Sequence, residues 1–446
     1  MTLLRFPAVS HYTALIKLGM PIIVGQIGTI VLGFADTLMI GRYGTNELAS
    51  ASFVNNMFML VLVFSLGFSY GLTPLVGSSY GKGETDRIGT LLKNGIAANL
   101  VLMFGLMLLM TLLYFNLNHL GQPDALLPLI RPYFLVNLAS LPFVALFNVF
   151  KQTADGVMRT RAGMWIMLAA NLLNIVGNYV LIYGVWGFPE LGLLGAGIST
   201  LFARIVMAVS FGVLFFFSRG YAPYRKAFHR GRLSLPIISN LTRMGLPLGM
   251  QIGMETCAFS LTAIIVGWIG ITSLAANQII LICSQFCYYI SSGMASAVGI
   301  RVSYYHGQKR WDDLNDSVIA GFQLVLLLNV ITSTLIFSIR NHVGYWFNDS
   351  PEVATLVATC VLPLVVYQFG DGMQCTYANA LRGLGRVKIL VPVAFLAYFV
   401  ICLPLGYLLA IPLGIGLPGI WWAYPFGLTT AGIFFYISFK KATRRA

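Results

Sequence analysis

The segment LGMPIIVGQIGTIVLGFADTLMI, residues 18–40, has one charged side chain, Asp36, in 23 positions. A helix that crosses a bilayer needs about 20 predominantly apolar residues. The segment therefore predicts a transmembrane helix, and eleven further apolar runs of similar length follow it. The twelve predicted spans cover roughly residues 14–40, 51–76, 95–117, 133–152, 164–186, 194–218, 244–268, 274–300, 317–339, 354–380, 388–411 and 416–439.

The composition of the 446-residue chain also predicts an all-α polytopic membrane protein. Apolar residues make up 58% and charged residues only 9%, whereas about 25% of an ordinary soluble domain is charged. Disorder is excluded because it requires low hydrophobicity. The apolar runs do not alternate with polar positions, which excludes an outer-membrane barrel. The six cysteines lie in apolar runs without a CxxC motif, so we expect neither a disulfide framework nor a zinc site.

The distribution of Lys and Arg predicts the orientation in the membrane. With both termini inside, 24 of the 28 basic residues, including Arg5 and Arg445, fall in cytoplasmic segments. The exceptions are Arg42, Arg131 and Arg340 outside and Arg204 within a span. This positive-inside bias predicts cytoplasmic termini and a cytoplasmic connector over residues 219–243. The net charge of +14 is then explained by basic loops that contact anionic membrane lipid, and no nucleic-acid partner is expected.

The connector separates two halves that repeat each other at an offset of 226 residues. GRYGTNELAS from Gly41 matches GWIGITSLAA from Gly267, and Gly19 matches Gly245. Both halves start on the same side, so the sequence predicts two parallel-repeat six-helix bundles around a central cleft, an architecture of transporters. The predicted parts are an N-terminal lobe, 1–218, the connector, 219–243, and a C-terminal lobe, 244–446.

Three acidic residues lie inside predicted spans: Asp36 in the first, Glu255 in the seventh and Asp371 in the tenth. A carboxylate in hydrocarbon is costly unless it is paired, hydrated or protonated. Such acids either have a hydrogen-bonded structural role or bind a cation or proton beside an aqueous cavity. We favour the second interpretation because Tyr367 lies one helical turn from Asp371, on the same face.

Polar side chains in other spans accompany these acids. Asn174 and Asn178 are four residues apart in the fifth span, and Gln278 opens the eighth. Carboxylate, amide and hydroxyl oxygens suit a hard cation, so Glu255 and Asp371 are candidate ligands of Na⁺. The two asparagines are equally compatible with hydrogen bonds that hold helices together. Arg204 either compensates a carboxylate or faces a water-filled cleft.

Motifs of other chemistries do not occur in the sequence. There is no GxxxxGK[ST] phosphate loop, so ATP is not expected to drive transport directly. HExxH is also missing from the chain. Paired carboxylates can carry out acid–base chemistry, so an intramembrane enzyme remains an alternative. That alternative does not explain why the chain consists of two halves that repeat each other. We therefore expect a protein that is not an enzyme and has no cofactor.

The chain resembles the multidrug and toxic compound extrusion (MATE) transporters, and most closely their NorM-like branch, over essentially its whole length. The matching stretches are GMPIIVGQ from Gly19, GFADTLMIGRYG around Asp36, GLPLGMQIGMET around Glu255, LAANQI from Leu274 and DGMQCTYANALRGLGR from Asp371. An acid in the seventh span together with one in the tenth is the more specific part of this resemblance.

The resemblance implies secondary active multidrug efflux by alternating access, in which amphipathic organic cations leave in exchange for Na⁺ or H⁺. Glu255, Asp371 and Tyr367 would form a cation site with Gln278 close by. The remaining candidate residues, Asp36, Asn174, Asn178 and Thr200, would form a polar network in the first lobe. The implied setting is a monomer in the bacterial inner membrane, and the implied partners are cationic drugs or toxins.

Two alternative functions remain compatible with the sequence. One is a flippase for lipid-linked oligosaccharides from the same superfamily, although such proteins tend to line the cleft with arginines and only Arg204 is intramembrane here. The other, from a different class, is an intramembrane enzyme or a receptor that does not transport.

Overall fold

The computed structural model describes residues 6–444, and every regular element in that range is helical. Residues 1–5 and 445–446, with the predicted cytoplasmic residues Arg5 and Arg445, lie outside the described residues. The helices of the first half are α1 Val9–Tyr43, α2 Thr45–Ser69, α3 Leu72–Gly81, α4 Thr85–Phe115, α5 Leu127–Gly156, α6 Thr160–Tyr183, α7 Gly192–Phe217 and α8 Ala222–Arg230. Those of the second half are α9 Leu235–Ile269, α10 Ile271–Gln308, α11 Trp311–Ser338, α12 Arg340–Val343, α13 Pro351–Gly383, α14 Leu390–Phe395, α15 Leu403–Ala410 and α16 Leu417–Arg444.

The predicted spans coincide with these helices. Within residues 6–444, eleven helical segments are long and apolar enough to cross a membrane. The twelfth predicted span corresponds to α16, which has 28 residues. It is long enough to cross a membrane but is not among these eleven apolar segments. Its aromatic and proline residues, among them Trp421, Tyr424 and Pro425, lower its hydropathy without shortening it. The fold is therefore the predicted one, an all-α polytopic membrane protein with twelve spanning helices in two bundles.

The repeat appears directly in the helix boundaries. Helices α1 and α9 both have 35 residues, and their first residues, Val9 and Leu235, are 226 positions apart. The next helix of each half begins almost at once, at Thr45 and at Ile271, which keeps the same offset. Gly270 makes the second of these turns at φ 148°, a backbone conformation that favours glycine. The repeat thus extends from the residue pattern to the lengths of the helices.

Two segments depart from uninterrupted α-helices. The second predicted span, 51–76, consists of α2 and α3 with a break at Tyr70 and Gly71. Pro74 explains the break, because it has no N–H to donate to the carbonyl of Tyr70 one turn earlier. In the eleventh span, a π-helical segment over Leu396–Cys402 joins α14 to α15. A π-helical turn changes the angular positions of the side chains that follow it.

The described chain divides into two compact units, and their boundaries differ from the lobe boundaries expected from the sequence. One unit comprises residues 24–249, and the other comprises 6–23 together with 250–444. We call them the 24–249 unit and the 250–444 unit. Both long helices, α1 and α9, thus contribute residues to both units. The partition at 218 and 244 remains a prediction.

Each unit has its own packed interior. In the 24–249 unit, α5 packs against α2, α4 and α7, and Phe58 and Phe134 meet edge-to-face with ring centroids 4.9 Å apart. In the 250–444 unit, α13 packs against α10, α11 and α16. Buried hydrogen bonds support this second interior: Asn329 Nδ2 donates to the carbonyl of Gln368 at 2.7 Å. Helix α13, which carries Asp371, is therefore held on several sides.

Candidate functional site

In the 24–249 unit, the structure brings Asp36 together with the predicted asparagines. Asn178 Nδ2 donates to Asp36 Oδ1 at 2.5 Å. The Asn174 amide, turned so that its nitrogen faces the acid, donates to the same oxygen at 2.9 Å and accepts from Thr200 Oγ1 at 3.2 Å. Both asparagines are buried, whereas Asp36 is half-buried. Asn174 and Asn178 thus contact the Asp36 carboxyl group directly, and Thr200 joins the network through Asn174.

Arg204 lies one helical turn beyond Thr200 on α7, so the two side chains share a face. Its charge acts on Asp36, and its Nη1 donates to Ser140 Oγ at 2.5 Å. Of the two roles considered for Arg204, the structure therefore supports compensation of a carboxylate. Arg204, Asn174 and Asn178 thus all act on Asp36 within the same unit.

In the 250–444 unit, the structure brings Glu255 and Asp371 together. The charge of Glu255 acts on Asp371, and Asp371 is only 4% exposed whereas Glu255 is half-buried. The Tyr367 ring is also buried, within electrostatic reach of both acids, and its hydroxyl group lies 3.0 Å from Ser284 Oγ. Cys375 Sγ lies 3.8 Å from Asp371 Oδ1. In contrast to Asp36, this pair combines two acids.

Tyr398 is the principal residue of this site that the sequence analysis missed. Its side chain acts on the Glu255 carboxyl group, and its hydroxyl group accepts a hydrogen bond from Gln374 Nε2 at 3.1 Å. Tyr398 lies in the π-helical segment of the eleventh span and is 1% exposed. One available signal was the repeat, because Tyr398 is 224 positions after Asn174, the same offset that relates Gly192 to Gly416.

The repeat relates a second pair of polar residues across the halves. At the same offset, Thr200 corresponds to Tyr424, and at the offset of 226 Asp36 corresponds to Thr262. Tyr424 donates from its hydroxyl group to Thr262 Oγ1 at 3.0 Å. The position of Asp36 is therefore occupied by a neutral threonine in the second half. The intramembrane acids of the second half are instead Glu255 and Asp371.

Gln278 is placed differently from its predicted partners. Its side chain is exposed, whereas the adjacent Asn277 is buried and accepts a hydrogen bond from Trp421 Nε1 at 3.1 Å. Trp421 in turn packs against the ring of Tyr367, with centroids 6.2 Å apart. Adjacent helical residues point about 100° apart, so the same turn cannot direct both amides inward. Asn277, not Gln278, reaches the residues around Tyr367.

Unpartnered oxygens near the acids fit a cation. Gln374 Oε1 and Gln251 Oε1 are buried without hydrogen-bond partners among residues 6–444. Gln374 contacts Tyr398, and Gln251 lies one helical turn from Glu255 on α9. Buried acceptors are normally satisfied, and Na⁺ prefers such hard oxygens. No group of three or more His, Cys, Asp or Glu in the described range is arranged to hold a metal ion, so amide and hydroxyl oxygens would have to complete a sodium site.

Comparison with known proteins agrees with this architecture. The MatE family model matches residues 21–180 and 247–408. Among solved structures, an outward-facing multidrug resistance MATE family transporter of the MOP superfamily has a TM-score of 0.89 and 18% identity, and the match covers 100% of this chain and 98% of that one. The eukaryotic MATE transporter AtDTX14 has a TM-score of 0.86 and 19% identity, with 98% of each chain covered.

A third similar structure is a MOP superfamily transporter from Pyrococcus furiosus, described as having a binding pocket of reversed polarity that suggests a different function. Its TM-score is 0.85 at 18% identity, and the match covers 99% of this chain and 97% of that one. At such identities the structural matches show the fold alone, whereas the family model matches both halves of the sequence. The chain therefore belongs to the MatE family, whose members are multi-pass membrane transporters and not enzymes.

Proposed function

We propose that this protein is a secondary active exporter that exchanges amphipathic organic cations for Na⁺, or for H⁺, by alternating access. The observation that carries the proposal is that the half-buried Glu255 lies within electrostatic reach of the buried Asp371 in the 250–444 unit. Two carboxylates in hydrocarbon are costly unless a cation or a proton compensates them. Such a site can bind a coupling ion in one step of the transport cycle and release it in another step.

The charge balance favours this pair over Asp36 as the principal ion site. Arg204 already acts on Asp36, and Asn178 and Asn174 donate to it. Tyr398 and Arg382 both act on Glu255, but this one basic side chain faces two acids, Glu255 and Asp371. We therefore assign ion coupling to Glu255 and Asp371, with Tyr367 and Tyr398 as hydroxyl groups at the same site. Asp36 and its network have a supporting role.

The same electrostatics suggest the class of substrate. A cationic drug and the coupling ion both lower the cost of buried negative charge, so each weakens binding of the other, and by linkage the two effects are equal. A pair of carboxylates does not favour the pyrophosphate group of a lipid-linked oligosaccharide, because like charges repel. Export of cationic amphipathic compounds is thus the function that this site supports best.

The coupling ion, the oligomeric state and the orientation in the membrane belong to the same proposal. The hard oxygens of Gln251 and Gln374 favour Na⁺ over H⁺, since a proton needs only one carboxyl group whereas Na⁺ needs several ligands. The protein is proposed to act as a monomer in the inner membrane of a bacterium, with both termini in the cytoplasm. The bias of basic residues supports that orientation.

Transport by the purified protein in proteoliposomes tests the proposal. A fluorescent organic cation is loaded, and a sodium gradient and a pH gradient are imposed separately. We expect efflux that follows the sodium gradient at fixed pH. Efflux that ignores both gradients would exclude ion-coupled export, and efflux driven by the pH gradient alone would replace Na⁺ by H⁺ as the coupling ion.

A further inference from the structure

We propose that α8 and the residues that follow it form a binding surface for the headgroups of anionic phospholipids. The surface consists of the side chains of Arg219, Lys226, His229, Arg230 and Arg232, all of which are exposed. We call it the connector surface. It lies outside the ion site, and nothing in the transport proposal requires it.

The cations of the connector surface have no competing negative charge nearby in the sequence. No Asp or Glu occurs between Glu190 and Glu255. Among residues 6–444, no ion pair joins these side chains to an acid, and Glu84, at the start of α4, pairs with Arg87 at 3.3 Å instead. Lys226, His229 and Arg230 are spaced three and four residues apart, so they lie on one face of α8. That face is cationic and free to bind anions.

The opposite face of α8 fixes the helix to the 24–249 unit. Tyr221 and Tyr224 are buried, and the Phe228 ring packs edge-to-face on Phe215 with centroids 5.5 Å apart. Arg225 donates to the carbonyl of Ser218 at 2.9 Å, just after the end of α7. The connector is therefore an ordered scaffold, and its charges are presented in a fixed arrangement.

Helix α4 holds the residues that follow α8. Lys93 Nζ donates to the carbonyl of Gly231 at 2.8 Å, and Asn94 Nδ2 donates to the carbonyl of Arg232 at 3.2 Å. Asn94 Oδ1 also accepts from the backbone N–H of Ser234 at 2.8 Å. These contacts use the backbone and leave the Arg232 side chain exposed. The segment after α8, which carries Arg232, is thus held in place just as α8 is.

Exposed apolar side chains flank the connector at the ends of the two spans that it joins. Phe217, the last residue of α7, is 79% exposed, and Leu235, the first residue of α9, is 80% exposed. Leu233, between Arg232 and Leu235, is also exposed. Apolar side chains at span ends together with Lys and Arg form the pattern of a segment at the membrane interface. The combination selects a lipid headgroup, because a free anion would not require the apolar residues.

Lipid binding to the full-length protein in detergent tests the proposal. Phosphatidylglycerol and phosphatidylcholine are added in equal amounts, the bound lipids are counted by native mass spectrometry, and the unfolding temperature is measured with each lipid. We expect preferential retention of phosphatidylglycerol, with a higher unfolding temperature than in phosphatidylcholine. The preference should fall with rising ionic strength, because salt screens exposed charges.

Variants locate the binding surface. Lys226→Gln, Arg230→Gln and Arg232→Gln together should reduce the preference for phosphatidylglycerol more than tenfold, since each cation near an anionic surface contributes about fivefold. The matched control removes the same charge at exposed residues of the 250–444 unit, by Lys309→Gln, Arg386→Gln and Lys388→Gln, and should keep the preference. Lys226→Arg, Arg230→Lys and Arg232→Lys together should also keep it, which separates charge from packing.

Three outcomes would overturn the proposal. One is an unchanged lipid preference in the connector variant, and another is an equal loss in the matched control. The third is a rise in unfolding temperature with inorganic phosphate that equals the rise with phosphatidylglycerol, because the surface would then bind free anions and not a lipid. If the triple variant does not fold, each of the three single changes must still lower the preference for the proposal to stand.

Discussion

Asn178 Nδ2 and Asp36 Oδ1 form a hydrogen bond of 2.5 Å between helices α6 and α1. The acid of the first span is therefore bound by a buried amide 142 residues later in the chain. A hydrogen bond to a charged group is among the stronger ones in proteins. The contact shows why Asp36 is stable inside a membrane-spanning helix.

Removing either partner of this contact should impair transport without preventing insertion. Asp36→Asn keeps the shape and removes the charge, which leaves the charge of Arg204 uncompensated. Asn178→Leu removes the donor and should lower the free energy of unfolding by about 1–3 kcal/mol. Efflux from cells and the unfolding temperature of the purified variants measure both effects. Thr37→Val is the matched control, because Thr37 is exposed and donates only to the carbonyl of Gly33; equal losses in this control would contradict a specific role for Asp36.

Neutral variants of the two acids in the 250–444 unit should nearly abolish ion-coupled efflux. Glu255→Gln and Asp371→Asn keep the side-chain shape, and expression should stay normal because neutral amides insert into membranes more easily than charges. The measurement is drug efflux in proteoliposomes at equal protein content. Glu352→Gln is the control, since Glu352 is an exposed acid at the start of the helix that carries Asp371. Normal rates in both site variants would leave the acids with a structural role alone.

Tyr398 should be required for coupling through its hydroxyl group. Tyr398→Phe keeps the ring but removes the hydroxyl group that acts on Glu255 and accepts a hydrogen bond from Gln374. We expect slower efflux and a loss of about 1 kcal/mol in the free energy of unfolding, the usual value of one buried hydrogen bond. Tyr407→Phe, at an exposed tyrosine two helical turns later, should change neither quantity. A Tyr398→Phe protein with full transport would remove Tyr398 from the ion site.

The sequence was sufficient to predict the twelve helices, because long apolar runs admit no other membrane-spanning element. It also singled out Asp36, Glu255 and Asp371, because acids are rare and costly inside spans, and their roles in transport stay a prediction. The repeat offset predicted that α1 and α9 correspond, and the two helices have the same length.

The contacts of the site were harder to predict, for physical reasons that differ between residues. Tyr398 lies in a π-helical segment, where the period of 3.6 residues no longer tells which side chain faces Glu255. Asn277 and Gln278 are adjacent amides in an apolar run, and only packing against Trp421 decides which one turns inward. Arg204 on α7 acts on Asp36 on α1, and no local sequence pattern specifies this long-range approach.

The orientation in the membrane can be tested with single cysteines. Ala222→Cys lies in the connector and Ala125→Cys in the loop before α5, and both positions are exposed. In a background without the exposed Cys257, an impermeant maleimide added to intact cells should label position 125 and not position 222. Inverted vesicles should give the reverse pattern. Labelling of position 222 from outside intact cells would reverse the topology.

The affinity for a cationic drug, measured in detergent at fixed pH while Na⁺ replaces K⁺, tests the ion site at Glu255 and Asp371 most directly. Because the drug and the ion compensate the same negative charge, Na⁺ should weaken drug binding, and K⁺ should not. The effect should disappear in Asp371→Asn and persist in Glu352→Gln. A drug affinity that does not respond to Na⁺ in the unmodified protein, but falls as the medium is acidified, would contradict the sodium site and assign coupling to protons.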